Sequence, residues 1–247
     1  MNNRLMHVCF IFFLLSMGVG FLSSRAGATG NAILAGFPFE KGDSWIYQGK
    51  VAWQVPDSEE KREKSLTWVV SVQESWENNN LKAALMKGFV TDLAFYEEGK
   101  KPGEYLLLRA GDIYYFLIYP ERSPELWKRI NDPNDPLVGL VSDDELFLEL
   151  PLFPEKIFGE TDQITRNDSM YVWVVQEVTT KTFPLVKGLV PNHPYEEYHL
   201  VYQTSPDRTD YYFVPGVGIT RYVYLHHGTL SEVDIRLVEY RSSHHTK

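Results

Sequence analysis

From Ser44 to the C-terminus the chain is a succession of short runs in which apolar and polar residues alternate, each closed by a turn signal. Period-two alternation puts successive side chains on opposite faces of an extended strand, so this pattern dictates sheet rather than helix. In the first run Trp45, Tyr47, Val51 and Trp53 fall on one face, and Ile46, Gln48, Lys50 and Ala52 on the other. Residues 66–76 form a second run with Trp68, Val70, Val72 and Trp76 aligned, and Asn78-Asn79-Asn80 then supplies a turn. Residues 105–109 and 113–118 flank Ala110-Gly111-Asp112, a tight-hairpin signature. Both of these runs are nearly continuous in apolar residues, which predicts strands covered on both faces. Residues 170–178 alternate again, and 195–203 pairs with 209–214 across Ser205-Pro206-Asp207. The last hairpin turns at His226-His227-Gly228, with Val217, Ile219, Val223 and Leu225 sharing one face of its first arm and Val233, Ile235 and Leu237 sharing one face of its second.

The exceptions punctuate the pattern. Ser123–Ile130 reads as one short helix, with Ser123 as N-cap and Pro124 as the first helical residue. The charged run Glu59-Glu60-Lys61-Arg62-Glu63-Lys64 reads as a solvated hairpin loop. Pro151 and Pro154 exclude a central strand over residues 146–158, and three prolines with Gly188 make 183–194 a long loop. Phe37-Pro38-Phe39-Glu40-Lys41-Gly42 is echoed by Phe183-Pro184-Leu185-Val186-Lys187-Gly188 ahead of a later strand. The count is about ten strands and one helix, a mainly β, antiparallel domain with long Pro-rich loops.

The N-terminus belongs to another category. A short basic lead with Arg4, an apolar run around Cys9 and the small-residue end Ala26-Gly27-Ala28 make residues 1–28 a cleavable export signal. Residues 29–247 are then a single domain without a thiol, since Cys9 is the sole cysteine, and no disulfide offsets its chain entropy. If the signal is kept, the apolar stretch 8–22 is an anchor too short for a regular bilayer span, and no later segment is long and apolar enough to span. Of the 24 basic residues, Arg4 and Arg25 lie in the leader, which leaves 22 against 33 acidic residues and a net charge of −11. Nucleic acid and anionic lipid are poor partners for such a surface.

Reactive chemistry finds little support. The exported domain has neither cysteine nor a G-x-S-x-G nucleophile elbow. His226 and His227 are adjacent, so on a strand they point to opposite faces, and there is no H-E-x-x-H. His193, His199, His244 and His245 are scattered. The acids at Asp132, Asp135, Asp143, Asp144 and Glu145 lack a regular calcium loop and read as turn and helix caps. No catalytic residue, metal-ligand set or cofactor motif is therefore expected. A hydrolase of envelope polymers would have to use carboxylates such as Asp143 or Glu196. Asn167-Asp168-Ser169 matches a glycosylation acceptor, meaningful only in a host that glycosylates exported proteins. Aromatic residues stand out instead: 6 Trp, 15 Tyr and 14 Phe, with only Phe10, Phe12, Phe13 and Phe21 in the leader. In Tyr211-Tyr212-Phe213 and Tyr222-Val223-Tyr224 they occupy both faces, so one set fills the core and the other meets loops, a ligand or a partner.

The segment from Phe37 to Tyr47 resembles the FPL-x-x-G-x-x-W-x-Y opening of exported bacterial β-rich proteins of unknown function, and Val214-Pro215-Gly216-Val217-Gly218 resembles their P-G-V-G hairpin. Pilus-associated TapB-like proteins share this style. The resemblance implies an envelope location, periplasmic or extracellular, and a strongly curved sheet, half-barrel or sandwich-like; it brings no catalytic residues. The reading is a non-enzymatic binding or assembly module, its partner an envelope protein or an apolar small molecule. Trp45, Tyr47, Trp53, Trp68 and Trp76 are the candidate contact face. The alternatives are a carrier of a lipid or other hydrophobic ligand in a half-barrel cavity, and the hydrolase.

Overall fold

A computed structural model describes residues 36–55, 57–78, 81–117, 123–132, 135 and 139–243. The export signal and its anchor alternative, Asn79 and Asn80 of the turn, and His244 and His245 lie outside these residues. Six strands make the first half: β1 (Ser44–Gln54), β2 (Lys61–Asn78), β3 (Leu81–Lys87), β4 (Glu104–Ala110), β5 (Ile113–Leu117) and β6 (Leu146–Glu149). Six make the second: β7 (Ile157–Gly159), β8 (Val172–Lys181), β9 (Tyr195–Gln203), β10 (Asp207–Val214), β11 (Gly218–His226) and β12 (Ser231–Arg241). Helix α1 (Ser123–Ile130) and the single turn α2 (Thr161–Ile164) complete the framework, with 3-10 turns at Val90–Leu93 and Asp143–Glu145.

All twelve strands form one antiparallel sheet in the order β6-β5-β4-β3-β2-β1-β12-β11-β10-β9-β8-β7. Each half is a meander of neighbouring hairpins, and the pairing of β1 with β12 joins them. The two outermost strands, β6 and β7, are consecutive in the chain, so the curved sheet is nearly closed. Lys156 sits at the seam. It is buried, donates to the carbonyls of Glu149 and Pro151 at 2.7 and 3.1 Å, and pairs with the Glu149 carboxylate at 3.1 Å. Pro151 and Pro154 thus lie between two short outer strands, where a missing N–H costs no ladder bond.

The concave face holds the main core. Trp45, Tyr47, Val51 and Trp53 of β1 all point into it, as the alternation requires. On the other side of the sheet, Leu126 and Ile130 of α1 pack with Ala83, Leu106, Leu108 and Leu117. That outer cluster explains why β4 and β5 are apolar on both faces: Leu107 and Phe116 turn inward while Leu106, Leu108 and Leu117 lie under the helix.

Two departures from the sequence reading share one cause, a one-residue bulge, and a third bulge leaves the reading intact. In β2 the register steps from Val72 opposite Met86 to Glu74 opposite Leu85, so Gln73 is an extra residue. A one-residue bulge reverses inside and outside beyond it. Trp76 therefore pairs with Ala83 and joins the outer cluster instead of aligning with Trp68. In β11 the extra residue is Thr220, and Tyr222 and Tyr224 take the interior in place of Val223 and Leu225. In β12 it is Val238; Val233, Ile235 and Leu237 face inward as expected, and Tyr240 joins them only because the bulge resets the phase. A third departure is the charged run. Lys61 to Lys64 pair with β1 opposite Val51 to Gln54 instead of looping, and Lys50 meets Glu63 at 2.6 Å.

Gly49 of β1 lies opposite Ile235 of β12. A Cβ there would stand 2.0 Å from the Asp234 carbonyl oxygen and 2.7 Å from the Ile235 Cα, so the neighbouring backbone leaves no room for a side chain. Gly49→Ala is expected to lower stability by about 1–3 kcal/mol, the range for inserting a methyl group into a filled site. Urea denaturation checks this; an unchanged midpoint would contradict the close approach.

Candidate functional site

Four of the five candidate contact residues meet on the concave face and are spent there. Trp45 Nε1 donates to the Val217 carbonyl at 2.6 Å, Tyr47 OH to that of Ile219 at 2.8 Å, and Trp68 Nε1 to that of Gly88 at 2.6 Å. Trp53 meets Tyr96 edge-on at 5.1 Å. The fifth, Trp76, is on the opposite face. Rings occupy the space between the two halves. Phe37 lies 5.3 Å from Trp45, 6.3 Å from Phe89, 6.2 Å from Phe147 and 6.4 Å from Phe213, and Phe89 lies 4.3 Å from Phe116.

An open cleft is found elsewhere, on the outward side of β8–β12. The pairing of β11 with β12 stops at Arg221 opposite Arg236, because both strands bulge just beyond this level, at Thr220 and Val238. The long loop after β8 fills part of the gap as a strap. The Lys187 N–H donates to the Val238 carbonyl at 3.0 Å, and the Tyr240 N–H donates to the Lys187 carbonyl at 2.8 Å. Gly188 follows at φ +86°, with the Tyr240 carbonyl oxygen 1.8 Å from where a Cβ would be. Only glycine tolerates both the backbone angle and this approach. Between strap and strands remains a cleft of about 320 Å³. Phe183, Pro184, Leu185 and Val186 wall one side, and Lys181, Glu197, Tyr212, Arg221 and Arg236 form much of the other. Leu185 is 91% exposed at the rim.

The floor is a fixed polar array. Glu197 is buried, accepts from Thr220 Oγ1 at 2.5 Å and is ion-paired to Lys181. Arg221 holds both oxygens of Asp234, at 2.9 and 2.7 Å. The Tyr212 ring stacks on His199 with centroids 4.4 Å apart, and it carries Lys181 and Arg221 at 5.4 and 5.2 Å from its centre. Beside it Asp210, also buried, lies 2.6 Å from His199 Nε2 and 2.9 Å from Arg208 Nε and Nη2. Burial pushes the Asp210 carboxyl upward, but the hydrogen bonds from His199 and Arg208 outweigh it and hold the group at about 2.

The remaining candidates are dispersed. His226 Nδ1 and the Tyr224 hydroxyl both meet Asp207 Oδ1, at 2.6 and 2.7 Å, and hold its carboxyl below the ordinary range against the opposing effect of burial. His227 bonds through its backbone to Pro206 at the hairpin tip, and the His193 ring lies edge-on to Tyr195. Glu196 accepts from Tyr198. Asp143, Asp144, Glu160 and Asp162 line a second, open cleft; Ser142 and Glu145 there complete a reciprocal cap of the 3-10 turn. Among the described residues no three His, Cys, Asp or Glu side chains are grouped to hold a metal ion, and no helix is long and apolar enough to cross a membrane.

No protein-family model and no curated protein sequence matches the chain. It is similar to a solved structure from Bacteroides fragilis described as an exported protein with a YmcC-like fold: 10% identity over 85% of this chain and 100% of that one, TM-score 0.41. A second, described as a lipoprotein of Parabacteroides distasonis, has 10% identity over 83% and 97%, TM-score 0.35. Likenesses this distant transfer neither activity nor ligand.

Asp210 yields a signed prediction. Its carboxyl sits below the ordinary value of about 3.9, so the ionised form stabilises the fold above that pH, and the contribution is lost as pH falls from about 4 to about 2. Asp210→Asn is expected to lose stability at neutral pH and to show a shallower decline than wild type across this acid window. Thermal unfolding followed by circular dichroism measures both curves; parallel curves would contradict the pairing.

Proposed function

We propose that the protein is an exported, non-enzymatic binding module of the bacterial envelope whose contact site is the strap cleft. The export reading rests on the leader pattern of residues 1–28 and the envelope reading on the resemblance of the Phe37 to Tyr47 opening. One observation carries the placement: the concave face is filled by the chain's own rings, while the outward face keeps a cleft with fixed cations, an aromatic floor and an exposed apolar rim at Leu185. Small-molecule sites commonly combine such apolar walls with a few convergent polar groups. The carrier alternative is supported only in altered form, since the rings weigh against an interior site and an apolar ligand would sit under the strap.

A photoreactive residue in place of Leu185 tests this, with one in place of Lys64, exposed on β2, as control. After exposure of the full chain to envelope extract and light, intact-mass spectrometry is expected to find an adduct at 185 and none at 64. Equal labelling, or none at 185, would overturn the assignment.

A further inference from the structure

The charges around the cleft do not cancel. Both oxygens of Glu197 are taken, Oε1 by Thr220 and Oε2 by Lys181, and both of Asp234 are taken by Arg221. Each acid thus has its own cation. Arg236 is the third cation. Its side chain is 66% exposed, and among the described residues the carboxylate oxygen within ion-pair range is Asp234 Oδ1, at 3.9 Å and already bound to Arg221. The cleft therefore carries one positive charge in excess, on a chain whose net charge is −9. A local cation on an acidic protein draws a small anion only where repulsion by the other acids is screened or short-circuited by contact, which a cleft provides.

The rest of the cleft rejects a bare inorganic ion. Phe183, Pro184 and Val186 of the strap line it, and burying an ion against them without an apolar body gains nothing from these walls. Its size also limits the occupant. A space of about 320 Å³ lies at the lower end of small-molecule sites and holds neither a folded partner nor a membrane surface. The recognition array is preorganised. Tyr212 carries Lys181 and Arg221 over its ring, His199 backs Tyr212, and Lys187 and Gly188 tie the strap to β12. Arg236 apart, little side-chain freedom remains to be lost on binding.

We propose that the strap cleft binds a small amphipathic organic anion, its carboxylate or phosphate-monoester head at Arg236 beside Arg221 and its apolar body along Phe183, Pro184 and Val186 of the strap. This rests on the placement of the contact site proposed above and names its ligand class.

Isothermal titration calorimetry on the purified chain provides the test, with octanoate, octyl phosphate, neutral 1-octanol, acetate and inorganic phosphate as probes. Octanoate or octyl phosphate is expected to bind about tenfold or more tightly than octanol, from the charge-assisted hydrogen bond that octanol lacks, and about tenfold or more tightly than acetate or phosphate, from the buried alkyl chain that these lack. The tighter of the two amphiphiles identifies the head group. Arg236→Gln, at an exposed position, is expected to remove that advantage and leave the circular dichroism spectrum and unfolding midpoint unchanged. Equal affinity for octanol and the octyl anions, binding of acetate or phosphate alone, retention of the advantage in Arg236→Gln, or no binding of any probe would each overturn the ligand class. If no probe binds yet the residue-185 adduct forms, the ligand class fails and the site survives; if neither is seen, both fail.

Discussion

Everything in this fold hangs on the rings that meet across the interior of the sheet. The Phe37 ring lies against rings of both meanders: Trp45 on β1, Phe89 after β3 and Phe147 on β6 from the first, and Phe213 on β10 from the second. A flat twelve-stranded sheet would leave these rings on one broad exposed face. Bending it until the faces meet buries them against one another, and each ring pair adds about 0.5–1.5 kcal/mol to the gain from burial itself. Cys9 is the sole cysteine, so no disulfide can form within the chain, and packing is its means of holding the sheet together. Lys156 then secures the seam where β6 and β7 remain unpaired.

Filling the interior sets where binding can occur. Strong curvature is accommodated by one-residue bulges, and two of them, at Thr220 and Val238, fall at the same level on neighbouring strands. Beyond them β11 and β12 part, and the strap enters the gap with Lys187 bonded where β11 would have been. The cleft is therefore a by-product of closing the sheet. Its polar floor exists because Lys181, Glu197, Tyr212, Arg221 and Arg236 all point away from the rings.

The sequence made strands, hairpins and the single helix legible because their signals are local. Period-two alternation located β1, β8 and the arms of the last hairpin, and the continuous apolar runs of β4 and β5 announced cover on both sides. Phase was less legible. Nothing adjacent to Gln73 or Thr220 marks a bulge, so Trp76, Val223 and Leu225 were placed on the wrong face by counting in twos. Of the charged run, Glu59 and Glu60 are outside any strand as expected, while Lys61 to Lys64 read as loop because neither face of that end of β2 is covered, which erases the alternation. The cleft was hidden for a different reason. Its cations come from three strands, brought together by register alone, and only Tyr212, within an aromatic triple that had to present both faces, pointed toward it. The repeated Phe-Pro and Lys-Gly signature at 183–188 lies in the strap, and Gly188 shows the physical need behind its last residue.

The central claim is that the chain's own side chains fill the concave interior. Xenon enters dry apolar cavities, so a crystal of the full chain under xenon pressure reports on that space directly. The account predicts no xenon among Phe37, Trp45, Phe89, Phe147 and Phe213. An ordered xenon atom at that position would contradict it and return the ligand site to the inside of the sheet.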